Sequence, residues 1–182
     1  MCIRDSWFLE QERERRGRIV GSATEVKGRI EVPGPAGPFT LTAKADRIDR
    51  IDGGGAAIID YKTGLPPSDR QIALGYSPQL ALEALILGEG GFEGMPAEAA
   101  TDLAYWRLSG GEPPGEVRTV GGDPLALAAA ARDGLLALVA AFDDPDTPYM
   151  PTPRPHWAPA WNDYEHLART MEWSAGSGGE ES

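Results

Sequence analysis

Asp46, Asp60 and Lys62 are the residues whose types and spacing could do chemistry together. Asp60 and Lys62 stand at the end of the run AAIIDYKT, 56–63, and a spacing of two puts both side chains on one face of a strand. Asp46 lies in the preceding run, FTLTAKADRIDRI over 39–51, and meets that face if the two strands pair antiparallel through the DGGG turn at 52–55. Two carboxylates converging at the end of an apolar strand repel each other unless a cation sits between them. Mg2+ suits such a site, because it takes oxygen ligands at about 2.0 to 2.1 Å and keeps several waters. Asp46, Asp60 and the backbone carbonyl of Tyr61 would hold the ion and leave positions for a phosphate and a nucleophilic water. Lys62 would orient that water or stabilise anionic charge. Against this stands a surface ion pair worth about 0 to 1 kcal/mol, since D-x-K alone has little specificity.

The elements that must position these groups follow from periodicity. TEVKGRIEV, 24–32, alternates and predicts a strand with one buried face; PGPAGP, 33–38, must turn; 39–51 alternates again, with Thr40, Thr42, Lys44 and Asp46 on its polar face. The run at 56–63 begins apolar on both faces, as a central strand does, and turns polar at Asp60. GLPPS, 64–68, breaks the strand; Ser77 and Pro78 read as N-cap and first residue of a helix from 78 to about 87. TDLAYWRLSG, 101–110, predicts a fourth strand, and 123–142 a helix capped by Asp123. WFLEQERERRGR, 7–18, reads as a solvated helix anchored by Trp7 and Phe8. The expected fold is α/β, a mixed central sheet of about four strands flanked by helices.

Composition narrows the chemistry. A length of 182 residues with 41% hydrophobic content fits one domain with a real core. One cysteine, Cys2, cannot build a disulfide framework, a cysteine-ligated zinc site or an iron-sulfur cluster, and two histidines argue for oxygen ligands. The net charge of -11 opposes autonomous nucleic-acid binding unless other parts of a larger assembly hold the DNA. No stretch runs to the roughly 18 consecutive apolar residues of a membrane span, and no secretory leader opens the chain. A cytoplasmic location without membrane attachment is expected. Residues 1–6 read as a non-native leader, and 175–182 as a disordered tail.

Trp106, Trp157, Trp161 and Trp173 could stack on bases, though core packing and loop pinning are commoner uses. His156 and His166 have no recognisable nucleophile or ligand partner. Lys44 and Arg47 could bind phosphate or balance the local carboxylates.

GPFTLTAKADRIDRIDGGGAAIIDYKTG resembles the central motifs of the RecB-like branch of the PD-(D/E)xK nucleases, with their restriction-endonuclease-like fold. SPQLALEALIL is similar to that branch's following helix, and DYEHLARTMEWS resembles the end of the AddB subunit of AddAB-type helicase-nucleases. The resemblance covers residues 7–174. It implies that Asp46 and Asp60 are metal ligands, that Lys62 is the catalytic lysine, and that Gln79 contacts DNA or steadies the site. Glu25 stands where related nucleases often have a glutamate, with solvent-facing pairing to Lys27 or Arg29 as the alternative. Implied with these are Mg2+ or Mn2+, DNA and an AddA-type helicase-nuclease partner. The expected function is metal-dependent hydrolysis of single-stranded DNA ends in double-strand-break repair; the alternative is a non-cutting DNA-binding or scaffold module. The family's upstream histidine-bearing helix has no counterpart before Trp7, so the domain reads as lacking its first helix. Glu83 replaces the tyrosine common four residues after the glutamine.

Overall fold

The computed structural model describes residues 3–109 and 111–149. The elements are α1 (Ile3–Arg16), β1 (Ile19–Val32), β2 (Phe39–Ile51), β3 (Ala56–Lys62), α2 (Asp69–Ala73), α3 (Gln79–Gly88), β4 (Ala100–Leu108), β5 (Gly115–Thr119) and α4 (Pro124–Phe142). The chain divides into two units, Met1–Asp143 and Asp144–Ser182. In the second, the Asp144 carbonyl accepts from the Thr147 N–H at 3.0 Å. The expected tail, His156, His166, Trp157, Trp161, Trp173 and the DYEHLARTMEWS segment lie outside the described residues.

The sheet has five strands in the order β1-β2-β3-β4-β5. Neighbours run antiparallel except β3 and β4, which are parallel. A parallel pair needs a crossover, and the chain between β3 and β4 supplies one containing α2 and α3. The DGGG turn is possible because Gly53, Gly54 and Gly55 adopt φ of 90°, 104° and 82°, where side chains are strained.

β3 buries both faces, as its apolar start predicts. Ile58 joins the large core formed with α3 and α4 residues such as Leu80, Ile86 and Ala128. Ile59 joins a second cluster with Ala104 and Trp106, against which Trp7, Phe8 and Tyr61 pack. β4 divides likewise, Leu103 and Tyr105 toward the large core and Ala104 and Trp106 toward the second. The parity of the side chains makes β3 and β4 a two-sided platform.

Several local expectations change. α1 begins at Ile3, within the segment set aside as a leader. Its anchor is the expected one: Trp7 and Phe8 meet the Trp106 ring at 6.0 and 5.7 Å between centroids. Ser77 is not the cap of α3. Pro78 holds that position at φ -81° and ψ 0° without a side-chain hydrogen bond. α2 is an additional helix, opened by a capping box in which the Gln71 N–H donates to Ser68 Oγ at 3.3 Å and the Ser68 N–H to Gln71 Oε1 at 2.7 Å. β5 is an additional strand. α4 follows its expectation, with Asp123 Oδ1 accepting from the Leu125 N–H at 3.2 Å. By length and composition alone α4 could cross a membrane. Here it packs against α3 and β4.

Candidate functional site

The site begins with an irregularity in the β1–β2 hairpin. Ala45 and Ile48 both belong to the large core although they stand three positions apart, so strict alternation fails between them. Their β1 partners are Val26 and Ala23, and between these Glu25 takes a positive φ of 54°. The slip is one of face and not of residue pairing, which continues from Val26↔Ala45 to Thr24↔Arg47, and it sets Asp46 apart from the alternation of Thr40, Thr42 and Lys44, correcting that expectation. The β2–β3 register runs from Arg50↔Ala56 to Arg47↔Ile59. Just past that last pair, Asp46 Oδ2 accepts from the backbone N–H of Tyr61 at 2.9 Å. A carboxylate thereby takes the place of a ladder carbonyl where the strands part.

Asp60 is buried at 3% exposure. Its Oδ1 accepts from Gln79 Nε2 at 2.6 Å, and its Oδ2 lies 2.8 Å from Lys62 Nζ. The latter is an ion pair between a nearly buried carboxylate and a partly exposed ammonium. Lys62 Nζ also donates to Gln79 Oε1 at 3.3 Å. One turn along α3, Glu83 Oε1 accepts from Gln79 Nε2 at 3.2 Å, while Glu83 Oε2 is buried without a donor. Burial pushes the Glu83 carboxyl up to about 7; the Gln79 hydrogen bond opposes, the charges of Asp60 and Asp46 add to the rise, and Lys62 offsets part of it. Tyr105, the β4 partner of Asp60, is pushed up to about 12, first by burial and then by Asp60 and Glu83.

Asp46, Asp60, Lys62 and Gln79 thus lie around one end of β3, and Glu83 joins them. Sequence reasoning noticed Glu83 only as a departure; its signal was the four-residue spacing from Gln79, which stacks both on one helix face. Glu25 does not join the group. It is exposed and pairs with Lys44 rather than with Lys27 or Arg29.

Arg47 is buried on the face covered by α1 and is not free to bind phosphate. Its Nε donates to Asp49 Oδ1 at 2.8 Å, its Nη2 to Glu12 Oε2 at 3.1 Å, and its Nη1 to Tyr61 Oη at 3.3 Å and to Glu12. Burial opposes this charge, but the bonds to Glu12, Asp49 and Tyr61 outweigh it and raise the guanidinium pKa. Ser22 Oγ donates to Asp49 Oδ1 at 2.7 Å, and Arg15 reaches Asp49 Oδ2 at 3.5 Å. Trp106 is fully buried beneath this network, so it does not offer its ring to a base.

The donor chemistry at the end of β3 fits a hard divalent cation, every candidate ligand being oxygen. Glu83 Oε2 is a buried oxygen without a hydrogen-bond donor, and the buried Asp60 Oδ2 meets the Lys62 ammonium at 2.8 Å. Among the described residues, no three His, Cys, Asp or Glu side chains gather closely enough to cage an ion by themselves. Asp46 and Asp60 with a backbone carbonyl such as that of Tyr61 would form an open site of the kind that leaves room for water and phosphate. Two open clefts lie away from this group, one of about 350 Å³ beside Arg15 and Arg18 and one of about 540 Å³ beside Lys27 and Lys44.

A model of the PD-(D/E)XK nuclease superfamily matches residues 2–158. An uncharacterized protein of Rickettsia bellii is 32% identical over 120 residues, covering 58% of this chain and 14% of the relative. An uncharacterized protein of Rickettsia conorii is 36% identical over 85 residues, covering 47% of this chain and 10% of the relative. The chain therefore spans 14% or less of the length of these two relatives. The crystal structure of SSO0001 aligns with 73% of this chain and 58% of its own at 18% identity and a TM-score of 0.41, too slight a likeness to argue from.

Proposed function

Because this chain belongs to the PD-(D/E)XK nuclease superfamily, we propose that it hydrolyses phosphodiesters of single-stranded DNA ends, with Asp46, Asp60 and the Tyr61 carbonyl holding Mg2+ or Mn2+. The observation that carries this reading is the arrangement at the end of β3: Asp46 bonded to the Tyr61 N–H, Asp60 beside it, and Lys62 paired with Asp60 at 2.8 Å. Bound there, a divalent cation supplies a water of lowered pKa and neutralises phosphate charge. The Gln79 amide at 2.6 Å and the Lys62 ammonium at 2.8 Å hold the Asp60 side chain in place for that task. Lys62 is partly exposed, and on substrate binding it turns from Asp60 to the attacking water or the developing phosphorane charge. Gln79 bridges the carboxylate and the ammonium and steadies both.

The wider setting is part of the same proposal. The resemblance of residues 37–64 to RecB-like motifs, and of DYEHLARTMEWS to the end of AddB, supports a subunit of a cytoplasmic helicase-nuclease for double-strand-break repair. An AddA-type partner would deliver the strand. Such delivery answers the net charge of -11, which by itself repels DNA.

The same charge favours a second reading, a scaffold that keeps the fold without cutting. Mg2+-dependent degradation of labelled single-stranded DNA, by this chain and by Asp60→Ala, separates the two. Cleavage by the parent alone supports the nuclease; equal cleavage by both removes the site assignment. No cleavage by either favours the scaffold.

A further inference from the structure

We infer that Glu83 is a positioning residue whose buried carboxylate holds the Gln79 amide in the orientation that serves Asp60 and Lys62; this rests on the metal-site reading proposed above. A glutamine amide can be turned end for end, and only its partners decide which end is oxygen. Here the partners leave one solution. Asp60 Oδ1 at 2.6 Å and Glu83 Oε1 at 3.2 Å both accept, so Nε2 must stand between them, and Oε1 then faces Lys62 Nζ at 3.3 Å. The two amide protons are used by two carboxylates, which fixes the amide plane as well as its direction.

Glu83 is well placed to impose this. It is 2% exposed, and it sits one helical turn beyond Gln79, which opens α3 at the surface. A buried carboxylate is costly, and a leucine would be cheaper among neighbours such as Leu80 and Leu87. What the carboxylate supplies is an acceptor that Asp60 does not share. With the Gln79 proton aimed at Oδ1, Asp60 keeps Oδ2 clear of the amide and available to a cation or to Lys62. Groups that orient a ligand in this way typically change metal affinity by about 10- to 100-fold when removed.

Calorimetric titration of the intact chain with Mn2+ tests the inference without relying on catalysis. Glu83→Leu should weaken Mn2+ binding about tenfold, and Glu83→Gln, which retains an acceptor oxygen, should restore it. Gln79→Leu, at the exposed start of the helix, should show a similar loss. Because Glu83 acts through Gln79, adding Glu83→Leu to Gln79→Leu should cost little more. Thermal unfolding of each variant verifies that the fold is kept. Wild-type affinity in Glu83→Leu, or losses that simply add in the double variant, would overturn the inference while Asp60→Ala still abolishes binding. If Asp60→Ala also binds normally, the metal-site reading fails, and this inference with it.

Discussion

Asp46 and Arg47, consecutive in β2, hold Tyr61 from two sides: the Asp46 carboxylate accepts from its backbone N–H at 2.9 Å, and the Arg47 guanidinium reaches its hydroxyl at 3.3 Å. Tyr61 separates Asp60 from Lys62, so the placement of these two groups depends on anchorage made under α1 as well as on the open side of the sheet. The Tyr61 ring also rests against Phe8 and Trp106, at 6.1 and 6.0 Å between centroids. Burial raises the Tyr61 phenol above its ordinary pKa, and the Arg47 hydrogen bond and charge oppose the rise.

Lys62→Ala is expected to lower single-turnover cleavage by about 10²- to 10³-fold, the usual effect of losing one stabilising donor. Mn2+ affinity should remain nearly intact, because the lysine acts on water and phosphate rather than on the ion. A matching collapse of affinity in calorimetry would show that its role has been misassigned.

Glu83 gives the metal-free protein a pH signature. Its carboxyl lies at about 7 in the fold against an ordinary 4.5, so the folded state holds a proton that the unfolded chain has released. Its contribution is therefore most favourable below about 4.5 and is lost as pH rises through about 7. Glu83→Gln should remove this loss, gaining on the order of 3 kcal/mol relative to the parent at pH 8 and little at pH 4. Urea unfolding at the two pH values checks it; an equal effect at both would refute the assignment.

Arg47→Met should destabilise the fold by about 3 to 5 kcal/mol, because it strips Asp49, which is fully buried, of its closest cation. Denaturant unfolding gives the magnitude. A loss below about 1 kcal/mol would mean that Arg15 and Ser22 suffice to satisfy Asp49.

Gly28→Ala should cost about 1 to 3 kcal/mol through overpacking. A Cβ there would stand 2.6 Å from Phe92 and 2.7 Å from Ile86, in the core where β1 meets the 91–93 segment. Thermal unfolding should show the loss, and Gly53→Ala, which has open space but a positive φ, provides a comparison for backbone strain alone.

Regular elements were legible because each followed one strong period. β2 spans 39–51, the run read as a strand, with its alternation kept through Ala45, and α4 starts behind Asp123 as its cap predicts. α2 and β5, five residues each, are too short for a period to emerge, although Ser68 and Gln71 carried the capping-box signature. The grouping around Asp60 was approachable from spacing: two residues to Lys62 in a strand, four from Gln79 to Glu83 in a helix. Arg47 was not, because D-R-I-D-R looks like solvated charge until Glu12 and Asp49 are brought onto it from distant or alternate positions. The slip at Asp46 was equally hidden, since nothing in the residue types announces the positive φ of Glu25.

That slip also sets a rule for rebuilding the hairpin. From Val32↔Phe39 to Val26↔Ala45 the two arms count off residue against residue, and the switch of faces comes only afterwards. Adding or deleting a single residue within either arm would exchange inside for outside along that stretch, while the β2–β3 pairing that sets Asp46 beside Tyr61 lies on its far side. The tip at 33–38 lies beyond that count, so grafted segments of foreign length belong there, where extra chain leaves the spacing to Asp46 untouched.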